Sequence, residues 1–278
     1  QWMKEYKIPA YDEDKGTGIV RHIMGRTGVH SGEIMVCIVT AVPMVPHMKE
    51  LVQMLRKDVP GLTSVIQNIN SRHTNVILGN KTKVIYGSPT ISDSIGDLSF
   101  RISAQSFFQV NSEQAQKLYD TALSYADLKG NETVVDVYCG TGTITLFLAK
   151  RAKFAYGIEI VEPAIRDAVK NAKDNGVKNA HFMCGDAAYK LPELLRSGVK
   201  PDVIVIDPPR AGCEEKVLNA IASVRPKRVV YVSCNPATLA RDLAYMKTRG
   251  YETKKVQPVD MFPQTHHIEA VALLVRKR

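Results

Sequence analysis

Three short segments of the 278-residue sequence carry residue types that do chemistry: Asp207-Pro208-Pro209-Arg210, Ser233-Cys234-Asn235-Pro236 and His266-His267-Ile268-Glu269. Cys234 follows the apolar run RVVYVS, so it leaves the end of a predicted strand as a free thiol, which is a nucleophile once ionised. Asp207 follows DVIVI in the same way; the prolines fix the loop, and the aspartate faces the crevice beyond the strand ends. Both residues therefore reach one ligand-binding edge, with Asp207 and Arg210 as substrate contacts. A Pro-Pro loop can also simply end a strand, and most free cysteines are inert packing residues. That second reading is given to Cys37, Cys184 and Cys213.

A fourth segment supplies a partner for the thiol. The strand TVVDVY runs into Cys139-Gly140-Thr141-Gly142-Thr143 and then a helix, a turn whose glycines let backbone approach a ligand. A dinucleotide fingerprint needs a third glycine where this sequence has Thr145, which disfavours NAD. Glu159 ends the next strand, where an acid can accept hydrogen bonds from a ribose diol. Gly140 and Glu159 together point to a nucleoside cofactor such as S-adenosylmethionine, with Cys139 serving the turn. The loop after Asp207 has Arg210 where amino-group methyltransferases carry a base-stacking aromatic residue, which weakens exocyclic-amine methylation.

A thiol beside a methyl donor has a specific use. Carbon 5 of a pyrimidine is too weak a nucleophile to attack a sulfonium, but adding a thiolate to carbon 6 makes the ring enolate-like and activates carbon 5. A base must then remove the carbon 5 proton so that the thiol can leave, and Glu269 is the carboxylate placed for it. Taken alone, a glutamate entering a strand is more often a surface residue. Metal chemistry is not expected: no two cysteines form CxxC, and His266 and His267, adjacent at a strand entry, should point in opposite directions.

The elements that must hold these residues fall into two regions. Residues 1–103 read as a smaller β-rich α+β domain, with strands at GIVRHIM, IMVCIVTAV, SVIQNIN, TKVIYG and DLSFRIS and one helix at HMKELVQMLRKD. Residues 104–278 alternate helix and strand, which predicts a Rossmann-like α/β domain with a parallel sheet covered on both faces. The last two strands, TKKVQPVD and HIEAVALLV, have no helix between them and should pair antiparallel at the sheet's end.

Composition limits the alternatives. With 45% hydrophobic and 23% charged residues, the sequence is neither disordered, collagenous nor a small disulfide scaffold. It has no apolar run long enough to span a membrane. Five scattered cysteines and the lack of a signal segment predict a reduced, cytoplasmic protein, expected to be a monomer. The net charge of +9 makes nucleic acid a plausible partner. Residues 225–255 hold eight basic and two acidic side chains, which fits a phosphate-contact surface and a solvated face equally well.

The motifs FFQVN, DVYCGTGT, GIEIVEPA, DPPRAG, SCNPATLARDL and DMFPQTHHIE occur in the order seen in the RNA uracil-5 methyltransferases, which this sequence resembles from residue 17 onward. The resemblance implies a class I S-adenosylmethionine-dependent methyltransferase fold acting on structured RNA. It favours 23S ribosomal RNA, with transfer RNA as the alternative. It also implies that Gln109, Tyr138, Glu159 and Asp207 bind S-adenosylmethionine, that Asp186 lies near the adenine, that Cys234 is the nucleophile and that Glu269 is the base. Phe107 and Phe108 fit base stacking and core packing equally well. Members of the family usually carry an RNA-binding β-barrel, and many an iron–sulfur cluster, ahead of this region. This sequence has no cluster motif, and its start at Gln1 leads to the expectation of an excised catalytic portion. DNA cytosine-5 methylation shares the thiol chemistry but calls for a Pro-Cys loop, and Ser233 stands before Cys234. A non-catalytic RNA-binding module would have been favoured by loss of Cys234 or Glu269, and both are present.

Overall fold

The computed structural model describes residues 1–277 and divides into two compact units. The first comprises Gln1–Ser94 with Phe100–Ser106, and the second Ile95–Ser99 with the chain from Phe107 onward. The unit boundary thus differs from the sequence reading at 103/104: a hairpin turn, Ile95–Ser99, belongs to the second unit. Asn175 explains this by holding Ser99 from both sides, accepting from its N–H at 2.9 Å and donating to its carbonyl at 2.6 Å. Arg278, the last residue of the predicted second domain, lies outside the described residues.

The first unit begins with the short helix α1 (Trp2–Glu5), followed by β1 (Val20–Thr27), β2 (Ile34–Thr40), α2 (Met48–Asp58), β3 (Leu62–Ile69) and β4 (Lys81–Gly87). These strands form one sheet in the order β1-β2-β3-β4, with β2 and β3 parallel across the α2 crossover. Trp2, Ile8, Val20, Ile38 and Leu51 make its local core. The hairpin β5 (Thr90–Ile95) and β6 (Leu98–Ser103) follows. The sequence reading missed α1 and β5. TISDSI is half Ser and Asp, residues typical of turns, which hides its alternation, yet its alternate residues Ile91, Asp93 and Ile95 are buried.

The second unit continues with α3 (Ser112–Ala126), β7 (Thr133–Val137), α4 (Thr143–Ala149), β8 (Phe154–Glu159), α5 (Glu162–Asp174), β9 (Ala180–Cys184) and α6 (Ala187–Arg196). Then come β10 (Val203–Ile206), α7 (Glu215–Val224), β11 (Arg228–Ser233), α8 (Pro236–Thr248), β12 (Tyr251–Val259) and β13 (Glu269–Arg276). Its sheet has seven strands in the order β12-β13-β11-β10-β7-β8-β9. The strands from β7 to β11 run parallel, while β13 inserts antiparallel between β11 and β12.

The apolar runs of the central strands dictate their place. All of VIVI in β10 is buried, as is nearly all of TVVDV and RVVYVS, which is what helices on both faces require. Burying each Val or Ile contributes about 1.5–3 kcal/mol. By contrast β12 is exposed along seven consecutive residues, as suits an edge strand. Strand order reverses between β7 and β10, and ligands of such sheets sit beyond the carboxyl ends at that point. Among the described residues, no helix is long and apolar enough to cross a membrane.

Candidate active site

Register alone brings the thiol and the carboxylate together. The antiparallel β11–β13 ladder ends on the pair Ser233 and Ala270, so the next step sets Cys234 opposite Glu269. Two strands that are distant in sequence thereby deliver both groups to the carboxyl edge of β11. On the neighbouring strand β10, Ile206 pairs with Tyr231 and Asp207 follows, emerging at the same edge. Glu269 is only 6% exposed, and burial pushes its carboxyl above the usual range. Asp207 is pushed well up by burial first, then by the negative charges of Glu269 and Asp136. The Cys234 thiol is raised by burial and by the same neighbours Glu269 and Asp207, with Arg210 pulling the other way. Cys234 also lies one residue before Asn235, which caps the start of α8 by accepting from Ala237 N–H at 3.1 Å. The positive end of that helix dipole favours a thiolate there.

The loop from Asp207 to Cys213 is clamped onto α8. Asp242, 1% exposed, accepts from Cys213 N–H at 2.8 Å and from the Tyr231 hydroxyl at 2.6 Å through one oxygen, and from Arg241 Nε at 2.8 Å through the other. Arg241 also donates to the Ala211 carbonyl at 3.0 Å, while Asn235 and Thr238 each donate to the Arg210 carbonyl at 3.3 Å. Gly212 is required at this contact: its φ is +82°, and a Cβ would meet Arg241 at 2.4 Å and Asp242 at 2.8 Å. Because Tyr231 lies on β11, the strand that leads into Cys234, Asp242 ties the loop to the nucleophile's strand. Sequence reasoning did not single out Asp242, although SCNPATLARDL contains it; a carboxylate on a helix gives no sign of which partners it will find.

Beyond β7 and β8 the turn residues form a cradle. Tyr138 takes a left-handed φ of +68°, a conformation rare for a residue with a Cβ, and its hydroxyl lies 3.6 Å from Cys213 Sγ. Gly140 N–H donates to Glu159 at 3.2 Å, and the other Glu159 oxygen accepts from Val161 N–H at 2.9 Å. A Cβ on Gly140 would meet nothing within 4 Å, so the space over the turn is open. Beneath it, Asp136 is 1% exposed, accepts from Thr145 Oγ1 at 2.6 Å, and leaves its second oxygen without a partner. Burial raises its carboxyl to about 7. Open backbone, an orphaned buried oxygen and the carboxylates Asp136, Glu159 and Asp207 suit a ligand with cationic and diol groups, as S-adenosylmethionine has.

Gln109 is 7% exposed in the segment that leads to Asn111. Asn111 caps α3 and donates to the Met261 carbonyl at 3.0 Å, which ties that segment to the loop preceding Glu269. Asp186 caps α6 by accepting from Ala188 N–H at 2.9 Å, and its other oxygen holds Lys216 at 2.9 Å. Its first task is therefore structural, and Lys216 keeps its carboxyl below the usual range. Phe107 is 72% exposed while Phe108 is buried, so the two aromatics divide between surface and core.

One expectation fails. His266 and His267 do not point apart; their ring centroids lie 4.1 Å from each other. Both precede β13, in loop backbone where the pleat that alternates side chains does not operate. His267 Nδ1 lies 3.2 Å from an Arg210 guanidinium nitrogen, joining the Asp207 loop to the Glu269 loop. No cluster able to hold a metal occurs among the described residues.

Residues 30–277 match the family described as tRNA (uracil-5-)-methyltransferase. The chain belongs to this family. Among curated relatives it is 54% identical over 274 residues to an uncharacterized RNA methyltransferase of Halalkalibacterium halodurans, covering 99% of this chain and 60% of that protein. It is 53% identical over 276 residues to another from Caldanaerobacter subterraneus, covering 99% and 61%. Among solved structures it resembles Pyrococcus abyssi tRNA (uracil-54, C5)-methyltransferase in complex with S-adenosyl-L-homocysteine, at 30% identity and a TM-score of 0.80, covering 98% of this chain and 64% of that one. The chain thus spans about three fifths of the length of the relatives it matches. The second unit has the Rossmann-like methyltransferase fold expected of a tRNA (uracil-5-)-methyltransferase family member.

Proposed function

We propose that the protein methylates carbon 5 of a uridine in structured RNA. The observation that carries this reading is the β11–β13 register, which sets Cys234 against Glu269 beside Asp207. The Gly140 turn would hold S-adenosylmethionine with Glu159 accepting from its ribose, and the bound cofactor would offer a methyl group on positively charged sulfur, the sulfur–methyl bond breaking with its electrons left on sulfur. Gln109, Tyr138 and Asp207 complete that pocket. Cys234 adds through sulfur to carbon 6 of the uracil while its proton departs to solvent, which makes carbon 5 nucleophilic toward the methyl group. Carbon 5 then carries both methyl and hydrogen. Glu269 takes that proton, the carbon–sulfur bond breaks with its electrons on sulfur, and the ring double bond is restored. Asp207 and Arg210 face the substrate, and the clamp on α8 fixes their distance from the thiol.

The substrate favoured by the sequence resemblance is 23S ribosomal RNA. The Pyrococcus abyssi relative, described as acting on uracil-54 of tRNA, supports transfer RNA as a second reading. Incubation of both RNAs with labelled methyl donor, followed by mapping of the methylated nucleoside, separates them. RNA carrying 5-fluorouridine at the target should give a complex stable to denaturation with the wild type and none with Cys234→Ala. A Cys234→Ala protein that still turns over would refute the assignment.

A further inference from the structure

The basic run seen in the sequence does not gather around the crevice. Arg225 caps the end of α7, and its carbonyl accepts from the Arg276 guanidinium, while Arg276 N–H donates to the Lys227 carbonyl at 3.2 Å. Lys277 N–H donates to the Gly250 carbonyl at 2.8 Å, just beyond the Lys247 and Arg249 end of α8. The exposed carboxylate of Glu252 is held below its usual range by Lys254, 2.8 Å away, with Lys277 and Lys247 adding to the pull. Arg225, Lys247, Arg249, Lys254, Arg276 and Lys277 thus surround the start of β12, with Glu252 as the acid among them. Asp202 and Asp127, the next acids, face their own cations Lys227 at 2.9 Å and Arg228 at 3.9 Å.

The opposite, carboxyl edge of the same sheet gathers no such cluster. Glu159, Asp186 and Glu214 stand there with Arg210, Lys216 and Arg241, and Lys216 is shared by Asp186 at 2.9 Å and Glu214 at 3.1 Å, so its cations are already engaged. A polyanion meeting this unit is therefore attracted to the amino edge. Strand β12 connects the two ends. It runs along the free edge of the sheet from Tyr251 in the basic cluster to Val259, which pairs with Glu269. Its nine residues cover about 30 Å. Lys255 lies on it, over the ring of Tyr125 at 5.6 Å.

We propose that this basic edge, continued by Lys255 along β12, is a phosphate-backbone site for the RNA, about 30 Å from the reacting uracil. The partner is the RNA whose uridine enters the crevice, so the inference rests on the proposed function. It adds that a bound RNA must reach around the edge strand, and that a short hairpin ending at the target loses these contacts.

The test measures binding with catalysis removed. In a Cys234→Ala background, Lys247→Ala, Arg249→Ala and Lys277→Ala are combined and titrated with purified 23S ribosomal RNA, with transfer RNA and with a short hairpin. Affinity for the long RNAs should fall at least tenfold, and the slope of log affinity against log salt should flatten by about 2–3, close to one for each lost contact. Calorimetric S-adenosylmethionine affinity should not change, thermal unfolding should stay cooperative with only the small loss of the Arg249 contact to the Tyr245 hydroxyl at 2.8 Å, and Lys or Arg exchanged for one another at these positions should bind as before. Glu252→Gln should tighten RNA binding. Unchanged affinity and salt slope for the triple variant would overturn the site. Methyl transfer by the otherwise wild-type chain is scored separately. Uridine methylation with no effect of the triple variant refutes the edge alone; RNA loss without any uridine methylation refutes the proposed reaction alone.

Discussion

Removing the carboxylate of Asp242 should disable the site without touching a reacting atom. Its single oxygen satisfies two buried donors, the Cys213 N–H at 2.8 Å and the Tyr231 hydroxyl at 2.6 Å. Asp242→Ala leaves both unpaired, at about 1–3 kcal/mol each, so about 2–6 kcal/mol is lost. Set against a typical total of about 5–15 kcal/mol, that leaves a folded but weakened protein, or none in the worst case. Asp242→Asn is the informative variant because it keeps the volume. Its amide oxygen can serve the two donors only if its NH2 group faces Arg241 Nε, a donor meeting a donor where 2.8 Å now separates a matched pair. The expected cost is about 1–3 kcal/mol in urea unfolding. The loop that carries Asp207 and Arg210 then shifts relative to Cys234, and a displacement near 1 Å costs about a hundredfold in rate. Turnover should therefore fall more than cofactor affinity, which loses only the share of the displaced Asp207 while the Gly140 turn and Glu159 keep their own hydrogen bonds. An Asp242→Asn protein with a wild-type urea midpoint and wild-type turnover would refute this account of the loop.

Glu269→Gln should allow methyl transfer but stall elimination, accumulating a covalent RNA adduct that already carries the methyl group, visible on denaturing gels with labelled cofactor; release of methylated RNA at the wild-type rate would show that another group is the base. The Cys234 thiol is raised above its usual range and must lose its proton to add to the ring, so kcat/KM should rise with pH into the alkaline range, while Glu269, which acts after methyl transfer, should show its titration in kcat; a flat kcat/KM profile would contradict this. Asp136, raised to about 7, binds a proton more tightly in the folded state than unfolded. Its contribution to stability is full below about pH 4 and is lost as pH rises toward 7, so Asp136→Asn should remove a pH dependence of a few kcal/mol, read as the difference between unfolding midpoints at pH 5 and 8. Glu159→Ala should weaken S-adenosylmethionine binding by about 1.5–3 kcal/mol in calorimetry, the worth of a hydrogen bond to a charged acceptor.

The sequence by itself determined the parallel core of the second unit and which residues reach its ligand edge. Short, β-branched apolar runs such as VIVI and RVVYVS fit strands buried on both faces, and Asp207 and Cys234 come immediately after them, so strand direction fixes their edge. The Gly140 turn and Glu159 were legible for the same reason: they are local features at strand ends. Tertiary structure decided everything that depends on pairing between distant segments. The antiparallel insertion of β13 between β11 and β12 fixes the register that sets Glu269 against Cys234, and a register between strands distant in sequence is not written in either strand alone. Asp242 became the hub of the substrate loop only when α8 packed over Tyr231 and Cys213, and His266 and His267 came together because their backbone is loop rather than strand. Charge followed the same rule. Composition showed an excess of positive residues, but folding separated them from the crevice. Strands carry the two ends of each βα unit to opposite edges of the sheet, and the basic side chains lie mostly at the ends that face away from the thiol.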